Sequence, residues 1–133
     1  MIALLLLVVA PRCGDSFHLR YDAEMWRLPP QRVEAIARAE SACNLDPKLL
    51  GHACRRTPRS CDRGRFQIRP ATARRRCPTL DTRRYEDNVW CALGMLSADR
   101  ARYGLTDATV GFNGRGAAAY AYLYRVLKIE ETL

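Results

Sequence analysis

Val33, Ile36, Ala37 and Glu40 fall at i, i+3, i+4 and i+7 of a segment spanning residues 31–43, so a helix there carries one carboxylate on its apolar face. Pro29 and Pro30 can open that helix, and the stretch from Asn44 to Pro47 ends it, because the residue before a proline avoids helical geometry. A second, short helix is predicted over residues 46–52. Residues 55–65 show no period, and Pro58, Ser60, Asp62 and Gly64 mark them as loop. Pro70 suits the first position of a helix that reaches Cys77. Val89, Ala92, Leu93, Leu96 and Tyr103 describe one face of a helix over residues 86–103, with Gly104 as its stop. Thr106 or Asp107 can cap the segment after that stop. Residues 117–127 are apolar nearly all round and read as a buried terminal helix. There is no evident strand pair, internal repeat or low-complexity linker, so the expected fold class is all-α, with minimal β at most.

The pattern has a chemical consequence at Glu40. Burial disfavours the charged carboxylate and raises its pKa, which is what a general acid needs to hold its proton near neutral pH. A buried glutamate held by a neighbouring arginine is the structural alternative.

At 133 residues the chain has the size of one domain, and 48% hydrophobic with 27% charged residues is an ordinary globular composition. The charge is less ordinary. Residues 55–76 hold nine arginines against Asp62 alone, so this segment accounts for the net +8 of the whole chain. A local positive field suits an anionic polymer, meaning nucleic acid, acidic wall glycan or a membrane surface. Twenty Arg against two Lys also fit an Arg-rich composition with no partner behind it. Only one aromatic residue, Phe66, falls among the arginines and no nucleic-acid motif is present, so no nucleic-acid partner is expected.

Residues 1–12 read as a signal peptide or N-terminal export segment. Ile2 to Ala10 are apolar but fall well short of the about twenty residues that span a bilayer. No basic residue precedes that run, Pro11-Arg12 makes a poor cleavage site, and Arg12 fits badly before a lipid-modified Cys13. Residues 13–29 then form an N-terminal extension, and 30–133 the domain. Cys13, Cys43, Cys54, Cys61, Cys77 and Cys91 are an even number in a small chain, which suggests up to three disulfides and an oxidising compartment. Proximity favours Cys54 with Cys61 and Cys77 with Cys91, while the pairing as a whole stays open. There is no Cys-x2-Cys pair, and His18 and His52 are not at helical ligand spacing, so neither a metal nor a cofactor is expected. His52 has no evident partner.

Taken in order, Glu40-Ser41, the run from Gly64 to Ala73, Asn88-Val89, Gly111-Phe112-Asn113-Gly114 and Tyr122-Leu123-Tyr124-Arg125-Val126 resemble the soluble lytic transglycosylase family. That family carries a helix-borne Glu-Ser, a Gly-Leu-Met-Gln-hydrophobic-x-Pro-Ala-Thr-Ala run, an Asn-hydrophobic helix start, an Ala-Tyr-Asn-Ala-Gly turn and a Tyr-Val-x-Arg-Val helix. The likeness runs from about Pro30 to Leu127. Departures stand beside it: Arg65 and Phe66 replace Leu and Met, Phe112 replaces a tyrosine and so lacks a hydroxyl, and Arg115 intervenes before Gly116. The Arg-rich loop from Leu45 to Asp62 is also unlike the family's spacer.

The resemblance implies a disulfide-stabilised, lysozyme-like transglycosylase fold, exported to the periplasm or cell exterior and associated with the cell wall. It implies a monomer that acts on peptidoglycan glycan strands, with cell-envelope or secretion machinery as a further partner. Glu40 would be the single catalytic group. Protonated, it would give its proton to the glycosidic oxygen between N-acetylmuramic acid and N-acetylglucosamine. It would then take the proton of the muramoyl C6 hydroxyl, which closes a 1,6-anhydro ring. Gln67 and the backbone near Ile68 would bind sugar amides, Phe66 would floor a pyranose ring, and Phe112 and Asn113 would contact substrate. Tyr122 would orient the Glu40 carboxylate from a facing helix. Ser41 follows the acid in the family, although as the next helical residue it points about 100° away.

Two other classes stay open. A water-using muramidase of the goose-lysozyme type shares the fold, and Asp62 in the groove near Glu40 would favour it, since ordinary glycosidases use two carboxyl groups. A capping or Arg-paired Asp62 is the structural counterpart. The other class is a non-catalytic wall-binding or secretion-associated protein in which Glu40 is idle.

Overall fold

The computed structural model describes residues 12–51, 54, 61–114 and 116–133. Nearly all of the export segment, together with His52, Ala53 and residues 55–60 of the Arg-rich loop, lies outside these residues. The described chain is mostly helical with almost no strand: α1 (Ser16–Met25), α2 (Pro30–Ser41), α3 (Pro70–Arg76), α4 (Tyr85–Tyr103), α5 (Leu105–Phe112) and α6 (Ala117–Glu130).

Helix α2 begins at Pro30, whose missing N–H costs nothing in a first turn, and packs against both α1 and α6. Two neighbours explain why it buries more than the predicted stripe, taking in Glu34 and Ala35 beside Val33, Ile36 and Ala37. Helix α1 has no counterpart among the elements predicted from the sequence. Its conspicuous apolar residues, Phe17, Tyr21 and Met25, face solvent, while Leu19 and Ala23 turn inward. Residues 13–29 thus supply Leu19, Ala23 and Leu28 to the core that holds Val33, Ile36, Val89, Leu93 and Val126.

Helix α4 buries Val89, Ala92, Leu93 and Leu96 as its period predicts, but Tyr103 is exposed at its end. Gly104, at φ 87°, both stops α4 and caps α5 in place of Thr106 or Asp107. Helix α6 corrects the expectation of an all-round buried element. Only Ala119, Tyr122 and Val126 are buried, and Tyr120 and Tyr124 are 63% exposed, because α6 meets α2 and α5 on one face alone.

No helix forms at residues 46–51. The Asn44 and Asp46 side chains accept hydrogen bonds from the Asp46 and Lys48 N–H groups at 2.9 Å each, turning the chain in a way that competes with helix. Leu50 pairs instead with Arg63, which pairs in turn with Ile68, the few bridges that stand in for a sheet. Inside the resulting tight turn Gly64 has φ 76°, and a Cβ there would lie 2.6 Å from Asn88 Nδ2, so both conformation and space demand glycine. Asn88 is fully buried. It donates to Arg63 O and Thr82 O and accepts from the Phe66 N–H, fixing the turn to the first turn of α4.

Three disulfides, Cys13–Cys43, Cys54–Cys61 and Cys77–Cys91, use all six cysteines, the last two being the pairs that proximity favours. Cys77–Cys91 ties the end of α3 to α4, and Cys13–Cys43 ties the chain before α1 to the chain after α2. Such bridges belong to an oxidising, exported environment.

Candidate active site

Glu40 lies in the last turn of α2 and opens into a cleft of about 390 Å³. One wall is α3 with the turn before it, contributing Asp62, Gln67, Ile68, Arg69, Thr72, Arg75 and Arg76. Met95 and Asp99 of α4, with Gly111 and Phe112 at the end of α5 and Asn113 and Gly114 just beyond it, complete the lining. Proline at the start of α3 and the Cys77–Cys91 bridge at its end hold that short helix in place.

Burial raises the Glu40 pKa to about 7. The Tyr122 hydroxyl and the Arg125 charge pull it down, and the Asp62 charge pushes it up further. Tyr122, on α6, is itself buried, and its own pKa rises through burial and the neighbouring Glu40 charge. Its hydroxyl has no other hydrogen-bond partner among the described residues, and it meets Glu40 without closing a bond of normal geometry. Arg125 packs its guanidinium over the Tyr122 ring at 5.4 Å. At neutral pH such a carboxyl is close to half protonated, so it can both give and take a proton.

The other predicted residues divide into two groups. Gln67, Ile68, Phe112 and Asn113 line the cleft with Glu40. Gln67 is held at φ 48° by its own amide, whose nitrogen donates to Leu49 O and Gly64 O, so only its carbonyl oxygen remains for a ligand. Phe66 and Ser41 do not face the cleft. Phe66 is fully buried and meets Phe112 edge-on at 6.1 Å, so the half-buried Phe112 is the aromatic surface on offer. Ser41 is buried against Arg65, donating to its carbonyl at 2.7 Å.

No protein-family model, curated protein or solved structure matches this chain. The site therefore rests on its own geometry.

Asp62 lines the cleft and is paired with Arg69 at 3.3 Å, so both expectations raised for it meet in one residue. Three other residues had no role assigned from the sequence: Asp99, Arg125 and Arg65. Asp99 faces the cleft, paired with Arg76 at 2.8 Å. Arg125 could have been found three residues beyond Tyr122, at the spacing that shares a helix face. Arg65 registers in the sequence only as a departure from a hydrophobic position. In the fold it is 1% exposed and ion-paired with Asp15 at 2.8 Å. Among the described residues no three His, Cys, Asp or Glu side chains gather as a metal site.

Proposed function

We propose that this chain is an exported, lysozyme-like enzyme that cleaves peptidoglycan glycan strands, with Glu40 as its single general acid and base. The observation that carries the reading is one carboxyl, raised by burial to about 7, in a cleft that also gathers Gln67, Ile68, Phe112 and Asn113. Protonated Glu40 would donate to the oxygen between N-acetylmuramic acid and N-acetylglucosamine as that bond breaks. The resulting carboxylate would accept the muramoyl C6 hydroxyl proton while that oxygen bonds to C1, closing the 1,6-anhydro ring and restoring the acid. Tyr122 would steady the carboxylate between the two steps. The three disulfides support the exported location.

Asp62 supports a second, hydrolytic reading, because it lines the same cleft and raises the Glu40 pKa. There it would activate a water, a role that its pairing with Arg69 opposes. Mass spectrometry of sacculi digested with the protein separates the cases. Anhydro ends support the first reading, reducing ends the second, and undigested sacculi reject both.

A further inference from the structure

We propose that Arg65 is a positioning residue for Glu40: its buried guanidinium locks the last turn of α2 to the turn that walls the cleft, and so fixes where the Glu40 carboxyl stands. The inference rests on reading Glu40 as the acid and base.

All three guanidinium nitrogens are engaged. Nε and Nη2 form a fork on Asp15 at 2.8 and 3.2 Å. The two N–H groups of Nη1 are shared among Ala37 O at 2.9 Å, Ser41 Oγ at 2.7 Å and Ala42 O. The groups it holds in α2 bracket Glu40 along the chain. Ser41 returns the contact by donating to the Arg65 carbonyl. A cation placed here also complements the C-terminal end of the α2 dipole.

This end of the helix needs such a hold. Ala42 leaves α2 at φ 53°, a left-handed conformation that a non-glycine residue keeps only when its surroundings enforce it. Arg65 supplies one restraint, and the Cys13–Cys43 bridge supplies another at the next residue. Asp15 is fixed in turn by the Tyr85 hydroxyl at 2.7 Å. On the other side, Gln67 and Ile68 follow Arg65 by two and three residues and line the cleft. One side chain thereby couples the acid to the wall facing it. Buried ion pairs add little net stability over well-packed apolar residues, so fixed geometry is what this arrangement contributes.

The test compares the full oxidised chain with Arg65→Lys, which keeps the charge but loses the planar fork, and with Ser41→Ala, which removes only the Ser41 contacts. Thermal melting, kcat and KM on glycan strands, and a carbon-13 NMR titration of the Glu40 carboxyl are measured for each. Arg65→Lys should fold, lose at least about tenfold in kcat with KM little changed, and let the Glu40 titration fall from about 7 towards the ordinary 4.5 as the carboxyl reaches water. Ser41→Ala should move both readouts the same way by less. A lowered Tm with wild-type kcat and an unmoved titration would overturn the proposal. Should Arg65→Lys not fold, Ser41→Ala decides by the same two readouts. A wild-type protein that cleaves no glycan would defeat the acid-base reading, and the titration alone would then judge Arg65: a fall in the variants supports it and no change overturns it.

Discussion

Glu34 and Glu40 stand on the same helix and both turn away from bulk water, yet they meet opposite surroundings. Glu34 faces α1, where it accepts a hydrogen bond from Ser16 at 2.6 Å and an ion pair from Arg20. Glu40 faces the cleft and α6, with no salt bridge among the described residues, and its burial is offset only in part by the Tyr122 hydroxyl and the Arg125 charge. The first arrangement cements two helices. The second leaves a carboxyl whose proton is held near neutrality. Burial alone does not bring a carboxyl's pKa near neutrality; burial without a committed cation does.

Exchanging the two glutamates for glutamine is the sharpest way to break this comparison. Glu40→Gln should abolish glycan cleavage, by at least about a thousandfold, with the fold intact. Glu34→Gln should do the reverse. It leaves Arg20 facing a neutral amide in a nearly dry site, and a loss of about 1–3 kcal/mol in stability is expected with turnover of the folded protein preserved. Chemical denaturation and a sacculus-clearing assay read both effects. Substantial activity in Glu40→Gln would reject its assignment, and a matching activity loss in folded Glu34→Gln would show that the two sites are not separable.

The burial of Glu40 also predicts how stability depends on pH. The folded pKa of Glu40, about 7, lies above the ordinary 4.5, so the native state keeps a proton that the unfolded chain releases between these values. Its contribution is therefore fully present below pH 4.5 and lost as pH rises to about 7. Glu40→Gln should match the wild type near pH 4 and exceed it at pH 8, on the order of 2 kcal/mol. Equal melting temperatures at pH 8 would mean that Glu40 is not desolvated. A buried carboxyl that costs stability when ionised is the trade between function and folding expected if Glu40 is the acid we propose.

How far the sequence carries can be read from particular residues. The Glu40 helix, the Pro70 start and the Gly104 stop were legible because proline, glycine and a 3.6 period act locally. Helix α1 was not, since its buried apolar residues, Leu19 and Ala23, are fewer and smaller than the Phe17, Tyr21 and Met25 that it exposes. Without α1 there was no means of seeing that Glu34 is buried too. Of the cleft residues, Gln67, Ile68, Phe112 and Asn113 came through the motifs they sit in. Phe66 and Ser41 were misplaced because a motif gives neighbours in sequence, whereas Asn88 and Arg65 decide which of them turn inward. The role of Arg65 was illegible for the same reason: its partners, Asp15 and the end of α2, converge only in the folded chain.

The smallest effect expected concerns the arginines, where a second contrast, buried against open, can be sharpened. Residues 55–76 count nine arginines against one acid, but the fold brings other acids to them: Asp15 neutralises Arg65 and Asp99 pairs with Arg76, while Asp62 takes Arg69. Arg75 lines the cleft with no ion pair among the described residues, so the field felt by a substrate is weaker than the count implies. Peptidoglycan carries stem-peptide carboxylates, and attraction between exposed charges weakens as the screening length falls from ~10 Å at 0.1 M salt to ~3 Å at 1 M. Cleavage of insoluble sacculi should therefore fall by only a few fold across that range, whereas cleavage of short uncharged chito-oligosaccharides should not respond. Arg75→Gln should remove much of the salt response, because Arg69 and Arg76 are already committed to Asp62 and Asp99. If both substrates respond alike, or if Arg75→Gln keeps the full salt response, the cleft wall plays no part in holding the strand and its arginines act only as a solvated face.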